Sequence, residues 1–165
     1  MIADRRKATA YHEAGHVVAA WRFGASPRTA TIIPHGDAQG EMIQESPLVD
    51  AGLDFDGSDH ARNRIERAIM ICLAGPIAQR HFAPRSWRHW HGGPDYVTAF
   101  DLALRINGSP RAAKAHVEWL EIRTQDLLES LWSYVEGIAG DLVIRGTLSP
   151  EEIRSALLPM RKRDA

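Results

Sequence analysis

The chain contains a single cysteine among its 165 residues, so no internal disulfide can form and a disulfide-stapled secreted scaffold is excluded. Cys72 lies in the apolar run Ile69-Met70-Ile71-Cys72-Leu73-Ala74, which reads as buried helix rather than reactive thiol, and a cytoplasmic, reducing setting is expected. An excess of charge is also missing. Twenty Lys and Arg stand against 21 Asp and Glu, a formal net charge of -1, which supplies no global field to draw the chain to nucleic acid or anionic lipid. The longest apolar stretch, Ala68 to Gln79, is too short to cross a bilayer, and the first residues lead into no signal-like apolar segment, so a soluble chain without a membrane segment is expected. No internal repeat or low-complexity tract interrupts the sequence. No G-x-x-x-x-G-K-[ST] phosphate loop occurs in it, so nucleotide-driven work is not supported by this chain alone.

What is present is a balance of 44% hydrophobic and 25% charged residues, the composition of an ordinary globular domain with a substantial core. Apolar spacing predicts a helix over residues 4–23, with Asp4 as N-cap and Gly24 as its stop. The β-branched stretch Thr29-Ala30-Thr31-Ile32-Ile33 ends at Pro34, and a second extended piece over 40–45 makes a hairpin or small sheet with it. Residues 46–57 read as a loop. A second helix is expected over 58–80, with Gly75-Pro76 as a point of kinking or division. Residues 83–93 show no clean period, and Pro94 opens a third helix reaching Ile106 that carries Asp95 in its first turn. A fourth helix begins at Ser109-Pro110, presents Val117, Leu120, Leu127, Leu128, Leu131 and Val135 along one side, and is expected to close at Gly137. Ser149 and Glu152 have capping-box spacing at the start of a last helix. The expected class is mainly α (α+β), one domain over 1–165, with a hairpin and metal-site portion in 1–107 and a helical portion in 108–165.

The chemistry is concentrated in His12-Glu13-Ala14-Gly15-His16, an H-E-x-x-H motif within the first helix. Residues i and i+4 share a helix face, so both imidazoles reach one Zn2+, while Glu13, turned by roughly 100° about the axis, stands beside an open coordination position. Two histidines and a glutamate also reach this spacing by chance on solvated helices. Gly15 argues against chance: glycine costs about 1 kcal/mol relative to alanine inside a helix, which points to another element passing close by.

Three stretches resemble the protease domain of the FtsH-type, ATP-dependent zinc metallopeptidases. They are residues 11–20, Tyr11-His12-Glu13-Ala14-Gly15-His16-Val17-Val18-Ala19-Ala20; residues 31–36, Thr31-Ile32-Ile33-Pro34-His35-Gly36; and residues 73–78, Leu73-Ala74-Gly75-Pro76-Ile77-Ala78. Their order and approximate separations agree with that family, and the similarity continues through the long helix into the closing segment 146–153. The resemblance implies a helical, zincin-like peptidase domain lacking the ATPase module. It implies Zn2+ as cofactor, His12 and His16 as ligands, Glu13 as catalytic carboxylate, and as third ligand an aspartate that follows a glycine-rich loop and opens a helix, a position matched by Asp95. Gly93-Pro94 departs from the small residue and asparagine that usually precede that aspartate. The strand 29–33 reads as core-supporting, and the resemblance also implies that it, with Thr31, Ile32 and Ile33, offers an edge to an extended peptide substrate.

Alternatives for the third ligand are Asp101, His89 and His91, with Glu66 on the second helix as a further carboxylate. His35, His60, His81 and His116 read as surface or locally hydrogen-bonded histidines. The expected function is hydrolysis of peptide bonds in unfolded or flexible polypeptides by a zinc metalloendopeptidase, with a separate ATPase or unfoldase as a candidate partner and the oligomeric state open. The alternative is a metal-bearing, non-proteolytic module that binds a peptide or protein through the hairpin and the Trp87–Trp90 loop.

Overall fold

A computed structural model of the chain describes residues 2–34, 41–44, 57–84 and 93–161. Six helices and three short strands follow one another along the described residues: α1 (Ile2–Arg22), β1 (Pro27–Thr31), β2 (Glu41–Gln44), α2 (Asp59–Phe82), α3 (Gly93–Ile106), α4 (Pro110–Ser130), α5 (Trp132–Arg145), β3 (Thr147–Leu148) and α6 (Pro150–Arg161). The architecture is mainly helical with a small antiparallel sheet, as expected. The expected loop over 46–57 and the Trp87–Trp90 segment fall almost wholly outside the described residues. No helix among the described residues is long and apolar enough to cross a membrane.

Helix α1 begins at Ile2, so Asp4 lies inside its first turn rather than capping it. Its other end follows the sequence: Gly24 takes φ +83°, donates to the Trp21 carbonyl at 3.0 Å, and Ala25 donates to the Ala20 carbonyl at 2.9 Å. That pair of bonds is the left-handed glycine cap of a terminating helix. Helix α2 is capped by Ser58, whose side chain accepts from the Ala61 N–H at 3.1 Å, and it runs unbroken through Pro76 to Phe82. Proline removes one helical donor, so the Cys72 carbonyl loses its partner from position 76. The division expected at Gly75-Pro76 does not occur.

Helices α1 and α2 cross on their small residues. A carbon added at Gly15 would stand 2.4 Å from the Ala74 carbonyl oxygen and 2.7 Å from the Ala78 Cβ, so the two backbones approach as closely as glycine and alanine permit. Ala10, Ala14, Val17 and Val18 of α1 are buried, as are Ile65, Ile69, Leu73 and Ile77 of α2. Helix α3 adds Ala99, Leu102, Ala103 and Ile106 to the same core. Helix α5 brings Val135, Ile138, Ala139 and Leu142 to it.

The expected single helix from Ser109 to Gly137 is corrected to two. Helix α4 ends at Ser130, Leu131 adopts φ -112° and ψ 14°, and α5 restarts at Trp132. Gly137 lies exposed within α5, and the stop falls instead at Gly146, where φ is +80°. The chain then enters β3, a strand that the apolar pattern does not reveal. Strand β3 pairs with β1 (Ala30 with Leu148, Thr31 with Thr147), β2 pairs with β1 on the other side, and the sheet order is β2-β1-β3. Helix α6 starts with the expected box: the Ser149 N–H donates to Glu152 Oε2 at 2.8 Å and the Glu152 N–H to Ser149 Oγ at 3.3 Å.

Candidate metal centre

Along α1, His12 and His16 are one turn apart and turn their rings to the same side, with centroids 4.8 Å apart and planes at 76°. Asp95, in the first turn of α3, closes on them: Oδ2 lies 3.2 Å from His12 Nε2 and Oδ1 lies 3.6 Å from His16 Nε2. The two Nε2 atoms are themselves 3.1 Å apart. Among the described residues these three side chains form a group able to hold a metal ion. Each element contributes through its own local logic. The helical period aligns the imidazoles, and the opening turn of α3 favours an anion through the partial positive charge of a helix N-terminus.

The far side of each imidazole is occupied. His16 Nδ1 donates to the Ile71 carbonyl at 2.8 Å and His12 Nδ1 to Gln79 Oε1 at 3.0 Å, both partners lying on α2. A carbonyl oxygen only accepts, so the proton of a neutral ring stays on Nδ1 and the Nε2 lone pair faces the centre. Burial pushes the His16 pKa down, as does the neighbouring His12; the charges of Asp95 and Glu13 and the bond to Ile71 oppose the shift without reversing it. His16 is therefore held neutral, as a metal-ligating imidazole must be.

This arrangement tests the fit of a cation. Two inward lone pairs and a carboxylate converge at 3.1, 3.2 and 3.6 Å, a mutual repulsion unless positive charge lies among them. Ligand bonds of 2.0–2.1 Å in a tetrahedron place neighbouring donors about 3.3–3.4 Å apart. The donor set of two imidazoles and one carboxylate, its single ligand atoms all within 4.8 Å of one another, fits a zinc ion that keeps one position open. The Asp95 carboxyl suits this role. Burial opposes its ionisation, yet the neighbouring His12 and His16 outweigh that and hold its pKa below the ordinary value.

Glu13 follows His12 directly and is buried, with 4% of its surface exposed. Its charge favours the protonated form of His16. Asp101, the alternative ligand on α3, is exposed and stands outside the group of three. Glu66 pairs with His116 at 3.2 Å, and His116 in turn meets the Asn107 side chain at 3.0 Å, so both are engaged away from the centre. His60 is exposed, and His81 packs its ring 4.2 Å from that of Trp132. His35, His89 and His91 lie outside the described residues.

Thr31 ends β1 and Ile32 and Ile33 follow it; Ala30 and Ile32 are buried, in keeping with a core-supporting strand. Strand β1 is the central strand, the Ile32 N–H donates to the Gly146 carbonyl at 2.8 Å, and Thr31 Oγ1 bonds Thr147 Oγ1 at 2.8 Å. The late chain segment at β3 thus lies beside Ala30 and Thr31. Sequence reasoning also missed Gln79 and the Ile71 carbonyl as partners of the imidazoles, because both come from a helix whose crossing with α1 is a tertiary fact. The one available signal was the pair of glycines, Gly15 and Gly75, on the two helices.

No protein-family profile matches the chain. Individual relatives do. The chain is 40% identical over 61% of its length to the ATP-dependent zinc metalloprotease FtsH of Magnetococcus marinus, a stretch that covers 14% of that protein. It is 26% identical over 90% of its length to ATP-dependent zinc metalloprotease FtsH 1 of Alkaliphilus metalliredigens, 29% of which is covered. Over these partial stretches the chain shows a weak similarity to FtsH zinc metalloproteases. A further match is the mitochondrial inner membrane i-AAA protease supercomplex subunit YME1 of Saccharomyces cerevisiae, 37% identical over 45% of this chain and 9% of that protein. The chain thus spans less than a third of the length of these relatives.

Proposed function

We propose that this chain is a zinc-dependent endopeptidase that cleaves unfolded or flexible polypeptides. The observation that carries the reading is the convergence of His12 Nε2, His16 Nε2 and an Asp95 carboxylate, with both Nδ1 atoms tied back to α2. His12, His16 and Asp95 would hold the ion. A zinc ion in such a site supplies Lewis acidity, lowering the pKa of water to about 7 and polarising a carbonyl. The protein's own part falls to Glu13, a buried carboxylate next to the ligands. One of its oxygens accepts the proton of the attacking water, and the same carboxyl then returns it to the nitrogen of the departing amine. The bonds from His12 to Gln79 and from His16 to Ile71 keep the rings from turning during that transfer. Similarity to zinc metalloproteases supports the same chemistry.

The relatives are ATP-dependent by name. Without a phosphate-loop motif in these 165 residues, we assign any ATP-driven unfolding of substrate to an ATPase outside them. A cytoplasmic site of action fits the lone, partly buried cysteine.

The deciding experiment compares wild type with Glu13→Gln. Purified wild type should carry about one equivalent of zinc and cleave an unstructured protein; the variant should retain the zinc and lose cleavage by at least about a hundredfold, the usual contribution of a positioned acid-base group. Cleavage at the wild-type rate by Glu13→Gln removes Glu13 from the mechanism. Zinc with no hydrolysis of any unstructured substrate by wild type would instead favour the metal-bearing binding module.

A further inference from the structure

We propose that Glu121 of α4 is a positioning residue for the metal centre, bracing the chain beside Asp95 and beside Gln79 through one carboxylate oxygen. The inference rests on the zinc reading above and extends it to a residue that touches no ligand. Glu121 Oε1 accepts the Tyr96 hydroxyl at 2.9 Å and the Arg80 Nη2 at 2.8 Å. Tyr96 is the residue after Asp95, and Arg80 is the residue after Gln79, the partner of His12. A single acceptor on a third helix thus joins the two backbone stretches that deliver the carboxylate ligand and the outer partner of one imidazole.

The first turn of α3 needs such a brace. The fully buried seam of α3 is Ala99, Leu102, Ala103 and Ile106, all downstream of Asp95, so apolar packing fixes the body of the helix better than its opening turn. Tyr96 reaches back from that turn, packs partly against the core and ends its hydroxyl on Glu121. Of the other side-chain bonds near that turn, Thr98 Oγ1 donates to the Pro94 carbonyl within the same helix and anchors it to nothing else. Arg80 supplies the positive charge that keeps a half-buried carboxylate at this spot, and a charge-assisted bond is stronger than a neutral one. Outer partners of metal sites commonly set the affinity, and their loss typically costs 10–100-fold.

The test uses the full chain as wild type, Glu121→Ala, Glu121→Gln, Tyr96→Phe, the double variant Tyr96→Phe/Glu121→Ala and the control Lys114→Ala, which breaks an exposed pair with Glu118 on the same helix. Zinc affinity is measured by competition with a chromogenic chelator, and the cobalt-substituted proteins are compared by their visible absorption bands. Glu121→Ala and Tyr96→Phe should each bind zinc about tenfold more weakly with altered cobalt bands, and the double variant should be no weaker than the worse single one. Glu121→Gln, whose amide oxygen still accepts both bonds, should recover most of the affinity. Lys114→Ala should match wild type. If Glu121→Ala does not fold, Tyr96→Phe and Glu121→Gln carry the comparison. Unchanged affinity and unchanged cobalt bands in a folded Tyr96→Phe and Glu121→Ala overturn the proposal, as does an equal loss in Lys114→Ala. A wild type that binds no zinc rejects the metal reading itself, and the bracing role with it, whereas zinc-binding wild type with indifferent variants rejects the bracing role alone.

Discussion

Gly75 of α2 lies directly against the imidazole of His16: a Cβ placed on it would stand 2.2 Å from Nε2, 2.6 Å from Cε1 and 2.7 Å from Cδ2. No side chain tolerates such distances, so the ring occupies space that exists only because residue 75 has none. The ring cannot simply swing aside, since that would break its 2.8 Å bond to the Ile71 carbonyl and leave a buried polar group unpaired. Gly75→Ala should therefore keep the helical fold and weaken zinc binding by at least about tenfold, as displaced ligand partners do. Metal analysis of the purified variant beside its circular dichroism decides this, and a full zinc complement in the variant would contradict it.

Gly15 makes the complementary prediction on stability. A methyl group there meets the Ala74 carbonyl oxygen at 2.4 Å, a backbone atom that moves only if α1 and α2 separate. Alanine gains about 1 kcal/mol of helix propensity over glycine. Overpacking a tight core costs about 1–3 kcal/mol, occasionally more, and a forced separation of the two central helices lies at the upper end. The net effect of Gly15→Ala should be destabilising, read as a lower denaturant midpoint with unchanged m-value. A midpoint equal to or above that of wild type would show that the helices have room to part.

These two glycines also mark how far the sequence could be read. His12 and His16 are legible as a pair because four residues is one turn, a property of the local chain alone. Asp95 is not: no period connects it to residue 12, and only a resemblance to known proteases singled it out. Gln79 depends on the crossing of α1 over α2, and Glu121 on a third helix, so neither leaves a pattern in the linear order. The break at Leu131 escaped for a different reason. Leu128, Leu131 and Val135 are all buried and continue the helical spacing through the interruption, so the apolar stripe carries straight across it, and leucine is no helix breaker. The central place of β1 likewise hinges on Thr147 and Leu148, more than a hundred positions away in the chain. Two residues are too few for alternation to reveal a strand.

Cys72 gives a chemical prediction. Burial, and after it the negative charge of Asp95, pushes the thiol pKa up to about 12, so very little thiolate exists near neutral pH. Because only the thiolate reacts, and a free cysteine has a pKa near 8.5, modification of the native protein at about pH 8 should be slower than that of free cysteine on the order of a thousandfold. Unfolding in denaturant should release one thiol at the ordinary rate. A chromogenic disulfide reagent measures both, and fast stoichiometric labelling of the native chain would show that the thiol is neither desolvated nor under the influence of Asp95.

The box at the start of α6 predicts a pH dependence of known sign. The Ser149 backbone N–H, and then the Ser149 side chain, hold the Glu152 carboxyl below its ordinary pKa against the opposing effect of burial, with the charge of Arg145 adding a smaller push in the same direction. A depressed folded value means that the native chain binds fewer protons here than the unfolded chain does, so the contribution to stability is full above the unfolded pKa of about 4.3 and is lost as pH falls through the folded value. Glu152→Gln keeps the shape and removes the charge. It should therefore lower the denaturant midpoint at pH 7 and differ progressively less from wild type as the pH falls below about 4.3. The two proteins should converge from the alkaline side, because protonated glutamate and glutamine are nearly equivalent acceptors for the Ser149 N–H. A gap between their midpoints that stays constant from pH 7 downward would mean that the carboxylate charge contributes nothing to holding α6 in place.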